Sequence, residues 1–327
     1  MNTGTTQDDY LSSFIKDTTD HMQENQEKFS DMRDDVRSVK ENISSAHNEA
    51  QAKSSQGYLN VDLKMLPLGM FYEPGTMIKI RSATVAEVQS YSVVNDENPV
   101  DVTEKMNQLL SSCVRLMKPN NKTGSYKDLK DGDRLFLVFM IRELTFQQGN
   151  TIAKDVQCDS CSNEFKIHYR ATANRDYPKT FKPYEMPEKL KKYYKPQLRC
   201  FEFPIGESNY RLAPPTIGIQ EIFFEEIKKD VQAEKNPNVS FMKVVPYLLY
   251  DRNYITPEGL KNKQKEYKEL SMEEFQVINK AVDLMKFGIE SLTQNCPKCG
   301  VEVHTSFTFP EGASGIFVLP DPLDYFD

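Results

Sequence analysis

Six cysteines carry the clearest chemistry in this 327-residue chain: Cys113, Cys158, Cys161, Cys200, Cys296 and Cys299. Four of them form two CxxC pairs, and Cys296 and Cys299 stand 138 positions after Cys158 and Cys161. In a reducing compartment thiols serve more often as metal ligands, core residues or nucleophiles than as disulfides. A CxxC turn offers two thiolates to one metal ion, and structural zinc takes four ligands in a tetrahedron. Each pair is therefore half of a site, and the expectation is one structural zinc per chain held by Cys158, Cys161, Cys296 and Cys299. A metal bound this way clips distant chain segments together and does not build a small autonomous finger.

Other uses of these residues weigh less. Thioredoxin-like redox pairs lie between a strand and a helix, whereas both pairs here lie between strand-like stretches, QCDSCSNEFKIHY and NCPKCGVEVHTSF. His168 and His304 follow their pairs closely and offer alternative ligands, but alternating sequence around them makes them ordinary strand residues. Cys113 in LLSSCVRLM and Cys200 in LRCFEF read as small buried hydrophobes. Four thiolate ligands leave no place for a reactive water, and no HExxH, GxSxG, Walker-type or GxGxxG motif occurs. No enzymatic activity is expected.

The elements that must position the cysteines repeat. Pro67-Leu68-Gly69 precedes Cys158 by 91 residues, and Pro204-Ile205-Gly206 precedes Cys296 by 92. In each half an extended apolar stretch, a turn and a strand lead to a threonine that opens a helix: IKIRSATVAE in one, YRLAPPTIGIQE in the other. Two further helices follow in each half, read as DVTEKMNQLLSSCVRLM up to Pro119 and SYKDLKDGDRLFLVFMIRELTF in the first, and SFMKVVPYLLY and SMEEFQVINKAVDLM in the second. Thr84 with Glu87, and Ser271 with Glu274, have capping-box spacing. The expected fold is α+β, with two tandem pseudo-repeats of β-hairpin, helices and CxxC knuckle sharing a zinc-ribbon-like site. The repeats occupy residues 59–170 and 198–327, and residues 171–197 join them. In that joint, DYPKTFKPYEMPEKLKKYYKPQ interleaves lysine with tyrosine. It reads as an extended linker packing its tyrosines on both halves, ahead of a surface tracking single-stranded nucleic acid.

Residues 1–58 form a polar, acidic N-terminal arm with 11 acidic and 6 basic side chains. Ile15, Met22, Phe29, Val36 and Ile43 recur every seven residues, the mark of a helix lying along another helix. Thr18 and Asn25 interrupt the neighbouring seam, and a disordered tail is the alternative. If helical, so narrow a stripe needs a partner surface, and these five residues are the candidate partner-binding positions.

The net charge of −7 and pI of about 5.4 argue against attraction to phosphate backbones. No run of about 18 apolar residues suggests a membrane span, and MNTGTTQDDYLSSF lacks the pattern of a secretory signal, so a cytosolic site of synthesis is expected.

The ordered set LPLGMFYEPGTMIKIRSATVAEVQ, DRLFLVFMIRELTF and DVQCDSCSNEF resembles the baseplate hub and hub-assembly proteins of T-even-type contractile-tailed bacteriophages. The matching positions are Leu66, Pro67, Gly69, Tyr72, Arg81, Thr84, Glu87, Ile141, Arg142, Cys158 and Cys161. The resemblance covers about residues 60–170 best and runs more weakly to about 310. It implies a non-enzymatic structural or assembly component of the virion tail baseplate, assembled in the host cytoplasm and bound to other baseplate and tail proteins. Two other classes stay open at this stage: an intracellular zinc-ribbon adaptor contacting nucleic acid or the transcription apparatus, and a thiol-redox protein.

Overall fold

The computed structural model describes residues 57–146, 152–170, 183–233, 239–248, 256–285, 292–305 and 312–317. The five heptad positions of the arm, Ile15 to Ile43, lie outside them. The described chain is mixed α and β, with small antiparallel sheets and eight helices.

The first sheet has the order β1 (Leu59–Val61), β2 (Met77–Ile80), β3 (Val114–Lys118), β4 (Lys122–Gly124), all antiparallel. Alternation sets its faces: Ile78, Ile80, Val114 and Leu116 point into the core, while Met77, Lys79 and Arg115 do not. Between β2 and β3 lie α1 (Val85–Ser92) and α2 (Pro99–Cys113). The capping box of α1 is present in full: Glu87 N–H donates to Thr84 Oγ1, and Thr84 N–H donates to Glu87 Oε2 at 2.8 Å. Two expectations for this half need correction. The second helix stops at Cys113 and not at Pro119, because VRLMK alternates and its backbone pairs with β2. The third, α3 (Arg134–Thr145), starts late, since Tyr126–Asp128 and Asp131–Asp133 are 3-10 turns. The apolar run of α3 suits its central place, with Phe136, Leu137, Val138, Phe139 and Ile141 all buried.

The two Pro-x-Gly turns, equally spaced from their cysteines, are different structures. Gly69 opens the second of two 3-10 turns, Leu63–Met65 and Gly69–Phe71, where a Cβ would lie 1.7 Å from the Leu63 carbonyl oxygen. Gly206 takes φ +60 in the tight turn of a hairpin with open space around it. The extended stretch expected before Gly69 accordingly supplies only the three strand residues Leu59–Val61 ahead of those 3-10 turns.

The second core is built on β7 (Tyr194–Lys195), β8 (Cys200–Ile205) and β9 (Ser208–Leu212), preceded by the short α4 (Glu188–Lys191). Packed on it are α5 (Ile217–Gln232), α6 (Val239–Leu248), α7 (Pro257–Lys268) and α8 (Met272–Met285). Helix α8 opens on the expected box of Ser271 and Glu274. The sequence reading missed α7, half of whose residues are charged, although Thr256 caps Gly259 N–H and Pro257 fills the first position.

The halves interlock. Leu68 and Phe71 belong to the second core, and Ile217, Leu292, Ile316 and Phe317 to the first. A backbone clasp joins them: Ile217 N–H donates to Leu129 O, Asp131 N–H to Pro215 O, and Lys130 bridges Thr216. The described tyrosines of the joint are packed. Tyr184 donates to Leu284 O, and the Tyr194 ring meets Phe71 edge-on and Phe201 at a tilt.

Candidate metal centre

Two hairpins carry the cysteine pairs: β5 (Ile152–Gln157) with β6 (Glu164–Tyr169), and β10 (Leu292–Asn295) with β11 (Glu302–Thr305). Gln157 pairs with Glu164, and at the same displacement along the chain Asn295 pairs with Glu302. The turns are alike bond for bond. Cys158 N–H donates to Asn163 O at 2.9 Å and Ser162 N–H to Cys158 O at 2.8 Å; Cys296 N–H donates to Val301 O at 2.8 Å and Gly300 N–H to Cys296 O at 2.9 Å. Both turns close on a left-handed residue, Ser162 at φ +55 and Gly300 at φ +74. This winding turns both sulfurs of a pair toward one side.

The four Sγ atoms all lie within 4.8 Å of one another. Cys158 Sγ is 3.6 Å from Cys299 Sγ, and Cys161 Sγ is 3.7 Å from Cys296 Sγ. These two separations exchange under a two-fold axis relating the knuckles, and their near-equality is what such an axis requires. A tetrahedron with metal–sulfur arms of 2.3 Å has edges of about 3.8 Å, so the sulfur positions fit one. Burial follows the same symmetry: Cys158 and Cys296 are buried, while Cys161 is half-buried and Cys299 exposed.

The electrostatics prepare the site for a cation. Around Cys296 burial opposes ionisation, but the N–H groups of Cys299 and Lys298 and the thiols of Cys299 and Cys161 outweigh it, bringing the pKa down to about 6. Cys299 moves the other way, to about 12, because partial desolvation and hydrogen bonds with the other thiols overcome the favourable Val301 N–H. Thiolates crowded together in this way favour a positive ion among them.

Neither histidine joins the group. His304 Nδ1 lies 3.1 Å from Thr293 Oγ1 across its hairpin, and His168 sits in β6 with a pKa lowered by burial and by Lys166. Cys113 and Cys200 are fully buried elsewhere; burial and the neighbouring Glu87 carboxylate push the Cys113 thiol to about 12. Both are buried away from the four-sulfur group, and the Cys113 thiol lies 3.7 Å from Glu87 Oε2.

Sequence reasoning missed two buried polar clusters. Arg81 donates to both oxygens of Glu87, at 2.9 and 2.7 Å, and to the carbonyls of Ser82 and Ser112. Burial works against the Glu87 carboxylate, but Arg81 and Thr84 prevail and hold it at about 2. Asp133 accepts from Leu68 N–H at 2.7 Å and from the Tyr72 hydroxyl at 2.8 Å, and that hydroxyl accepts from Lys130 N–H. Arg81 spaced six from a capping glutamate was a usable signal for the first cluster. Nothing local in the sequence joins Tyr72 to Asp133.

Comparison with models of protein families, with curated proteins and with solved structures finds no match. What the chain does is therefore argued from its own residues. No described helix is long and apolar enough to cross a membrane.

Proposed function

We propose that the chain is a non-enzymatic structural or assembly component of a contractile phage tail baseplate, built around one zinc ion held by Cys158, Cys161, Cys296 and Cys299. The observation that supports the zinc part of this reading is the four-sulfur group itself, assembled from two knuckles far apart in sequence. A soft all-thiolate tetrahedral donor set suits zinc, and four protein ligands fill its coordination, leaving the ion a structural task. The matching hydrogen bonds and register of the knuckles also support an internal duplication of about 138 residues, with repeats at 59–170 and 198–327.

The baseplate assignment rests on the resemblance over residues 60–170, and the uses of its residues favour a structural protein. Tyr72, Arg81, Thr84, Glu87 and Arg142 are each committed to internal hydrogen bonds, and Leu66 and Ile141 to the core. Its partners on this reading are other baseplate and tail proteins, with the virion as its destination. Metal analysis of the purified chain should give about one zinc per chain, lost together with thermal stability in Cys299→Ser. Affinity purification from infected cells should bring down tail proteins. A metal-free, stable wild type defeats the zinc assignment, and a strictly monomeric chain that captures no tail protein defeats the baseplate one.

A further inference from the structure

We propose that the surface between α1 and α3 is a peptide-binding groove, occupied by this chain's own Gly312–Phe317 segment, and that the same segment of a second copy can fill it in trans. This goes beyond the zinc and baseplate reading and does not depend on it. The contacts resemble those of a ligand in a built site. Asp96, in the loop after α1, accepts from Ser314 N–H at 2.9 Å and from the Ser314 hydroxyl at 2.5 Å. Arg142 of α3, itself 2 % exposed, donates through Nε to Ile316 O at 2.5 Å. Apolar anchors supply the grip: Ile316 is 1 % exposed, and the Phe317 ring lies 5.1 Å from Tyr91 and 6.2 Å from Phe146.

The groove also selects sequence. Gly312 has φ +75, and a Cβ there would lie 2.3 Å from an Asp96 carboxylate oxygen, so the position requires glycine. Two main-chain contacts, the Ser314 hydroxyl, a glycine and two deep apolar side chains define a motif of the form Gly-x-Ser-x-Ile-Phe, the kind of short anchor set that peptide-binding domains read.

Separability is the second part of the argument. The polar and aromatic partners named above all come from residues 91–146, whereas the occupant follows the second knuckle; the Asp96 and Arg142 contacts span 218 and 174 positions. Six residues, 306–311, or seven residue steps, separate Thr305 at the end of β11 from Gly312. Such a leash reaches at most about 25 Å. A segment released from its groove would stay within that reach of β11, and a neighbouring copy whose groove lies inside it would receive the segment, linking copies noncovalently.

The test uses the full chain with a specific protease site placed within residues 306–311, folded intact and then cut. A fluorescent synthetic peptide of residues 310–322 should exchange into the nicked protein saturably. The same peptide with Ile316→Ala and Phe317→Ala should bind at least about tenfold more weakly. Failure of the labelled peptide to bind, with circular dichroism and metal content unchanged, overturns the proposal. If cutting unfolds the protein, hydrogen exchange on the uncut chain decides. Exchange of the Ser314 amide well ahead of the amides of β2 and β3 supports a separable segment; exchange in step with them overturns it.

Discussion

Ser162 and Gly300 hold the same place in the two knuckles, yet only one of them is the residue that a left-handed conformation favours. Around Gly300 there is open space, so a side chain there meets no neighbour and any cost is purely one of backbone conformation. Gly300→Ala should destabilise the metal-loaded protein by about 1–2 kcal/mol, and Ser162→Gly should be neutral or stabilising by up to about 1 kcal/mol. Denaturant unfolding of the two variants checks both signs, and equal effects would mean that the knuckles are not equivalent. Asp133 makes a second prediction at this scale. Burial, above all, raises its carboxyl from the ordinary 3.8 to about 7, against the Leu68 N–H, the Tyr72 hydroxyl and Lys130, with Asp131 adding to the rise. Between those values the folded state holds a proton that the unfolded state has lost, so this group makes stability fall as pH rises from about 4 to 7. Lys130, lowered by burial from 10.5 to about 8, acts only on the alkaline side, where its contribution grows with pH. Asp133→Asn should flatten the slope below pH 7, which is at most about 1.4 kcal/mol per pH unit, in urea midpoints taken at pH 5, 6 and 7. An unchanged slope would mean that Asp133 stays ionised throughout.

At the scale of elements, equal spacing in sequence did not guarantee equal structure. The matched Pro-x-Gly turns predict very different tolerance. Gly69→Ala drives a Cβ into the Leu63 carbonyl and should cost at least about 3 kcal/mol, whereas Gly206→Ala meets nothing and should cost about 1–2 kcal/mol for its φ of +60. Thermal unfolding of the pair distinguishes them, and similar losses would argue that the first turn relaxes freely. What could be read from the chain beforehand was chemistry that acts locally. The boxes at Thr84 and Ser271 and the strand–CxxC–strand order depend on residues a few positions apart. What could not be read depended on partners distant in sequence. VRLMK continues the apolar pattern of α2 and becomes a strand only because β2 is there to pair with it. Tyr194 and Lys195 look like linker, and they join a sheet because β8 lies alongside. The four-sulfur group lies between these cases: its members are visible in sequence, and their meeting is a tertiary fact.

For the whole molecule, a metal bound at the four cysteines would act on halves already clasped through Lys130 and Thr216. The clasp and the shared apolar residues join the bodies of the two cores, whereas the β5–β6 and β10–β11 hairpins meet at the cysteines, with β10 alongside β6. Four crowded thiols without a cation repel once ionised, and the hairpin tips bury little else: between the strands, Asp159, Ser160, Pro297 and Lys298 are exposed. Closing a loop of this length contributes on the order of 5 kcal/mol of chain entropy, if the metal acts as a covalent link would. Chelation should therefore act locally before it acts globally. Amides of both hairpins should lose exchange protection together while Ile78, Ile80 and Leu116 in the first sheet keep theirs, and zinc should restore the hairpins in parallel. Hydrogen exchange with and without chelator reads this directly. Loss confined to one hairpin would mean that the other stands without the metal, and the two knuckles would then not be halves of one site.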